Sequence, residues 1–191
     1  MSQSSAVEAV IFDWGGTITP WHTVDLHEQW TVFARGMGAI ACSLNDTASA
    51  VHAAEEAAWR RGRTEGTSAR LHEILQEAGL DPAHPALEAG LTAYREFWEP
   101  HTFTHPEIPS LWESLRSKGI RIGVLSNTIW TRDYHREIFA RDDVLHLIDG
   151  DVYSSELPPV KPHPEAFRAA CRALDVDPRH AAYVGDRIFE D

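Results

Sequence analysis

Residues 6–19, AVEAVIFDWGGTIT, decide how the rest of the chain is read. Val7, Ala9, Val10, Ile11 and Phe12 form an apolar run that stops at Asp13 and a Gly-Gly pair. A continuous run of this kind predicts a strand buried on both faces, as in a parallel sheet. A carboxylate at the carboxyl end of such a strand sits where open α/β sheets place their chemistry. Gly15 and Gly16 let the backbone turn tightly and approach a bound group, and Thr17 offers a hydroxyl and an amide to an anion. Alone, the same residues also describe an ordinary strand followed by a glycine turn with an exposed Asp.

Downstream the texture becomes helical. Asp25 precedes Glu28 at capping-box spacing, and Leu26, Trp30, Phe33 and Met37 recur at helical intervals until Gly36 and Gly38. Asn45 or Asp46 is expected to cap a second helix carrying Ala48, Val51, Ala54, Ala58 and Trp59, punctuated by Gly62 and Gly66. Residues 68–78 and 85–98 read as two more helices. Residues 100–109, rich in Pro and His, read as a return linker. After it, helix and strand alternate. Helices are expected at 108–118, 131–139 and 164–174, and strands at 120–126 (IRIGVLS), 151–155 (DVYSS) and 181–184. That alternation predicts βαβ units on a doubly wound parallel sheet with an all-helical insertion: a core of residues 1–19 and 105–191 and a helical cap of residues 20–104. A doubly wound sheet ordinarily continues past the strand that ends at Gly185-Asp186. The expectation is therefore a chain truncated at Asp191, with a further C-terminal strand and helix missing.

Composition narrows the function. The chain has 191 residues, 43% of them apolar, and a formal charge of −12, which suits a packed core and argues against a phosphate-backbone partner. The N-terminus carries no signal-type segment and no run reaches membrane-spanning length. Cys42 and Cys171 form no C-x-x-C pair, so free thiols in a reducing compartment are the default. The expectation is a cytoplasmic protein acting on a small molecule, without nucleic-acid or membrane partners. Oligomeric state is left open.

Four segments that end or follow expected strands carry polar groups: Asp13-Trp14-Gly15-Gly16-Thr17, Ser126-Asn127-Thr128, Lys161-Pro162, and Gly185-Asp186 running to Asp191. In a parallel sheet these ends share one edge. Carboxylates that hold a hard cation, with a hydroxyl and an ammonium that hold phosphoryl oxygens, suit phosphoryl transfer to a carboxylate nucleophile. There are two lysines in the chain, Lys118 and Lys161, which makes the placing of Lys161 beside Pro162 more telling. His101 and His105, four apart in the linker, are a weaker candidate for zinc.

In this order the segments resemble the four motifs of the haloacid dehalogenase-like (HAD) superfamily, whose pattern is hhhD-x-D-x-T, hhhS/T-N, a Lys before the fourth strand, and GD-x(3–4)-D. VLSNT and VKPHPEAFRAACRAL resemble the subfamily with a helical cap. The resemblance covers essentially the whole chain and implies Asp13 as nucleophile, with Ser126 and Lys161 gripping the phosphoryl group. It implies Gly16, Thr17, Asn127 and His22 near the substrate, and Mg2+ held by Asp13, the Gly15 carbonyl, Asp186 and Asp191. The second Asp of the first motif is replaced by Gly15, so the usual acid–base side chain is missing. Three readings stay open: a substrate with a good leaving group, a proton moved by His22, His27 or Glu28, or a phosphate-binding protein without catalysis. A 2-haloacid dehalogenase is less favoured, because the Asp186/Asp191 pair suits a metal. A Schiff-base phosphonatase does not fit, because residues 19–105 contain no lysine.

Overall fold

The computed structural model describes residues 7–39, 41–157 and 160–191, with the backbone alone described at Ala41 and Cys42. The described residues fall into two compact units. One comprises the described parts of Met1–Trp21, with Gly66–Ser68 and Phe103–Asp191; the other comprises His22–Glu65 and Ala69–Thr102.

The first unit is the expected α/β element. Strands β1 (Ala9–Phe12), β2 (Arg121–Ser126), β3 (Gly150–Tyr153) and β4 (Ala181–Val184) make one parallel sheet in the order β3-β2-β1-β4. The apolar run of residues 7–12 takes a central place in the sheet. Its alternate side chains feed two separate cores: Val10 and Phe12 one, Ala9 and Ile11 the other. Strands buried on both faces cannot alternate apolar with polar, and this one does not. Trp112, from the helix Ile108–Ser117, and Phe139, from the helix Arg132–Arg141, pack on the Val10/Phe12 side. Ala166, Ala169 and Ala170, from the helix Pro164–Ala173, pack on the other side. In β1–β2 pairing Phe12 lies opposite Val124, and in β1–β4 pairing it lies opposite Val184. Asp13, Ser126 and Gly185 therefore leave the sheet at the same edge within about one residue of each other.

The second unit is all helix: α1 (Leu26–Gly36), α2 (Ala41–Glu65), α3 (Leu71–Glu77) and α4 (Leu87–Trp98). Asp25 caps α1 by accepting from the amides of His27 at 2.8 Å and Glu28 at 3.4 Å. The α2 helix starts at Ala41, ahead of the expected Asn45/Asp46 caps, because Ala41 to Leu44 continue the helix without a breaker; it also runs through Gly62. The interior of this unit is not purely apolar. Glu55 Oε2 accepts from Trp30 Nε1 at 2.7 Å and Gln29 Nε2 at 3.1 Å, and Gln29 Oε1 accepts from Trp98 Nε1 at 2.9 Å and Tyr94 OH at 3.1 Å. Burial pushes the Glu55 carboxyl up, and the indole donors partly offset this. Among the described residues no helix is long and apolar enough to cross a membrane. Cys171 is a buried free thiol; the side chain of Cys42 lies outside the described set.

Candidate active site

Two of the other three motif segments reach the ammonium of Lys161. Lys161 is 3% exposed, and its three N–H donors are matched by three acceptors. These are Asp191 Oδ1 at 2.6 Å, Tyr183 OH at 2.6 Å and Asp13 Oδ2 at 3.1 Å. The lysine is aimed by its own backbone. Its N–H donates to Asn127 Oδ1 at 2.9 Å, while Asn127 Nδ2 donates to the Lys161 carbonyl at 3.0 Å. Asn127, expected beside the substrate, thus has its carboxamide committed to holding the loop before Pro162 against the end of β2.

Asp13 is buried at 7% exposure, and its Oδ1 accepts from the Trp14 amide at 2.7 Å. Burial raises its carboxyl above the ordinary range, with Lys161 and the Trp14 amide pulling the other way. Asp191 shares the same ammonium yet lies below the ordinary range. Burial opposes ionisation there too, but the hydrogen bonds from Lys161 and the Arg187 amide outweigh it.

Carboxylate oxygens of Asp13, Asp186 and Asp191 all lie within 4.8 Å of one another. Three hard, anionic oxygen donors at that spacing fit a divalent cation. The Gly15 carbonyl accepts no hydrogen bond among the described residues, so it is available as a fourth oxygen. His101 and His105 take no part in any such group among the described residues.

The turn after Asp13 closes on itself. The Trp14 carbonyl accepts from the amides of Thr17, Ile18 and Thr19, and the Gly16 amide donates to Thr19 O at 2.7 Å. The Gly16 and Thr17 amides are therefore engaged within the turn, while Thr17 Oγ1 is buried without a partner. Gly16 has φ +81°, a conformation that favours glycine, and a Cβ there would collide with Asp186 Oδ2 and the Trp21 indole. At Gly15 a Cβ would meet nothing within 4 Å. Ser126, 3% exposed, ends β2, and no partner holds its Oγ among the described residues. His22 is exposed and belongs to the helical unit, its ring 4.9 Å from that of His101. His27, also in that unit, bonds Ser49 Oγ at 3.2 Å.

The structure thus gathers Asp13, Lys161, Asp186 and Asp191, and places Ser126 on the same sheet edge. Sequence reasoning missed Tyr183, whose hydroxyl completes the lysine's set and lies 3.2 Å from Leu125 O. In AAYV it reads as one more strand aromatic. Trp21, which follows the first motif segment closely, donates its indole N–H to Asp186 Oδ2 at 2.5 Å.

Known proteins resemble the chain in sequence and in fold. Over 118 residues the chain is 29% identical to a glyceraldehyde 3-phosphate phosphatase of Methanopyrus kandleri, a match covering 62% of this chain and 50% of that protein. The chain thus spans half the length of that curated relative. Among solved structures, a HAD phosphatase from Thermococcus onnurineus matches with TM-score 0.63 at 20% identity, over 97% of this chain and 80% of that one. The L-2-haloacid dehalogenase of Xanthobacter autotrophicus matches with TM-score 0.58 at 19% identity, over 96% and 71%. Residues 7–191 match the model of the haloacid dehalogenase-like hydrolases. With that match, and with motif residues clustered at the carboxyl edge of a parallel sheet, the chain belongs to the haloacid dehalogenase-like hydrolase family.

Proposed function

We propose that the chain is a Mg2+-dependent phosphatase of a small phosphorylated metabolite, working through an aspartyl-phosphate on Asp13, in a cytoplasmic setting. The carboxylate triad beside a buried lysine carries this reading. A dehalogenase acting on carbon has no use for three carboxylates around one point. A bound Mg2+ would supply charge neutralisation for the phosphoryl oxygens, and Asp13, Asp186, Asp191 and the Gly15 carbonyl would hold it.

In the proposed reaction an Asp13 carboxylate oxygen attacks phosphorus, the bond to the leaving oxygen breaks, and an acyl phosphate forms. Water then attacks that phosphorus and releases inorganic phosphate and free Asp13. Lys161 lies against Asp13 Oδ2 and faces the incoming phosphoryl charge. The Ser126 hydroxyl donates to a phosphoryl oxygen, with Thr17 and the turn around Gly16 beside it. His22 and the rest of residues 20–104, as the cap, bear on substrate choice. Asn127 serves here by fixing Lys161.

Gly15 has no side chain with which to move a proton. The curated relative's name puts glyceraldehyde 3-phosphate on the substrate panel. Its leaving oxygen is an alkoxide that needs a proton, so substrates with acidic leaving groups belong on the same panel. The test is turnover of phosphate esters of graded leaving-group acidity, with Mg2+ and with EDTA, beside Asp13→Asn. Loss of turnover in EDTA and in the Asn variant is expected; undiminished turnover in the Asn variant removes the nucleophile. Binding of phosphorylated compounds with no turnover across the panel favours the second reading, a phosphate-binding protein of the same fold. The specific observation behind that reading is the missing side chain at Gly15.

A further inference from the structure

Trp21 is an exposed tryptophan, 60% accessible, and it contributes little to any core. Its ring is nonetheless fixed on three sides. The indole N–H donates to Asp186 Oδ2 at 2.5 Å. The Arg187 guanidinium lies 5.0 Å from the ring centroid, within cation–π range. Gly16, at φ +81°, brings bare backbone so close that any Cβ would strike both the indole and Asp186 Oδ2. An indole serving only as surface filler needs neither a glycine in left-handed conformation nor a carboxylate partner. The carboxylate it grips is one of the three that converge within 4.8 Å.

We propose that Trp21 is the positioning residue of the cation site, its indole N–H fixing the Asp186 carboxylate in the orientation that meets Asp13 and Asp191. This rests on the cation reading above and adds to it a residue outside the four motif segments. A carboxylate has about four acceptor positions. The indole occupies one, on Oδ2, and leaves Oδ1 and the remaining lone pair for a divalent ion. Asp186 is itself exposed. Without the indole its side chain would sample several rotamers, and ordering it would oppose cation binding. Groups that orient a ligand in this way typically change metal affinity by about tenfold to a hundredfold when removed. A neutral donor suits the role, because a cationic side chain at position 21 would repel the ion it serves.

The experiment uses the whole 191-residue chain. Mg2+ and Mn2+ are titrated calorimetrically into the unmodified protein, Trp21→Phe and Asp186→Asn. In parallel, the indole N–H signals of the seven tryptophans are followed by 1H–15N spectroscopy during the Mg2+ titration. Trp21→Phe keeps a smaller aromatic ring beside Gly16 and Arg187 and removes the N–H donor. The expected result is a Kd raised about tenfold or more in Trp21→Phe, binding lost in Asp186→Asn, and one indole signal that shifts with Mg2+ and is missing from the Phe variant. Unchanged affinity in Trp21→Phe with binding lost in Asp186→Asn overturns the role of Trp21 and leaves the phosphatase reading standing. Tighter binding in Trp21→Phe also overturns it, making the indole a competitor for Asp186. Binding that survives Asp186→Asn removes the cation site and this proposal with it.

Discussion

Restoring a carboxyl at position 15 tests the proposed chemistry most directly. Gly15 lies in the turn after Asp13, its φ is not in the left-handed range, and a Cβ there meets nothing within 4 Å. The Cβ of Gly15→Asp therefore introduces no clash. Stiffening the unfolded chain contributes about 0.4–1 kcal/mol, which opposes the repulsion from the neighbouring carboxylates. The new carboxyl would stand beside the nucleophile, where a leaving oxygen needs its proton. General acid–base help is worth roughly 10²–10⁴ in rate, or about 2.7–5.4 kcal/mol at 1.36 kcal/mol per tenfold. That gain applies to alkyl phosphates and is nearly absent for aryl phosphates with acidic phenols. The added charge joins three carboxylates already within 4.8 Å, so rates are compared at saturating Mg2+. The assay is kcat/KM for the unmodified protein and Gly15→Asp across a series of alkyl and aryl phosphates. The unmodified protein should show a steep dependence on leaving-group acidity, and the variant a flattened one. Equal alkyl-to-aryl ratios in the two proteins, with Mg2+ affinity intact, would refute the reasoning and place proton transfer at another group.

Three further outcomes are expected. Tyr183→Phe keeps the edge contact with Phe167 and removes one acceptor from Lys161. At about 1.5–3 kcal/mol for a hydrogen bond to a charged group, kcat/KM should fall roughly ten- to hundredfold, and an unchanged value would show that the hydroxyl is dispensable. Asn127→Ala cuts both hydrogen bonds to the Lys161 main chain, about 1 kcal/mol each; activity should drop while urea unfolding shifts by a similar small amount, and full activity would mean the loop holds its place unaided. His135 is fully buried, its imidazole stacked on Tyr153 and edge-on to Trp14, and burial takes its pKa down to about 3, against an opposing pull from Asp151. The unfolded chain takes up that proton near pH 6.5 (about the ordinary value) and the native one does not. Its contribution is therefore complete above that pH and is lost as pH falls toward 3, by up to about 1.4 kcal/mol per unit. His135→Gln should flatten the fall in urea midpoint between pH 7 and pH 5, and parallel curves for the two proteins would contradict this.

Much of the fold is legible in the sequence because its signals are local. Residues 9–12 (AVIF) and 122–125 (IGVL) are apolar without alternation, as suits a strand covered on both faces, and both lie in interior strands. Asp13, Lys161 and Asp186 follow from motif order, since strand ends in a parallel sheet share an edge. What the sequence conceals is pairing across long separations. Asn127 and Lys161 are 34 residues apart, and nothing local shows that the amide will grip the lysine's backbone. Tyr183 and Trp21 look like packing aromatics until their polar atoms find Lys161 and Asp186, respectively. Glu55, in the run HAAEEAAWRR, reads as a solvated helix charge, yet it anchors two indoles and an amide.

Among the described residues β4 pairs with β1 alone, and Tyr183 lies on it while Asp186 and Asp191 follow directly after it. Local opening of that β1–β4 pairing would carry off two carboxylates and the lysine's phenol partner together. A divalent ion bridging Asp13 to Asp186 and Asp191 would act as a clasp across that seam. At a hundred times its Kd it would contribute about 2.7 kcal/mol to the closed form, so the resistance of residues 181–191 to proteolysis should track the Mg2+ concentration.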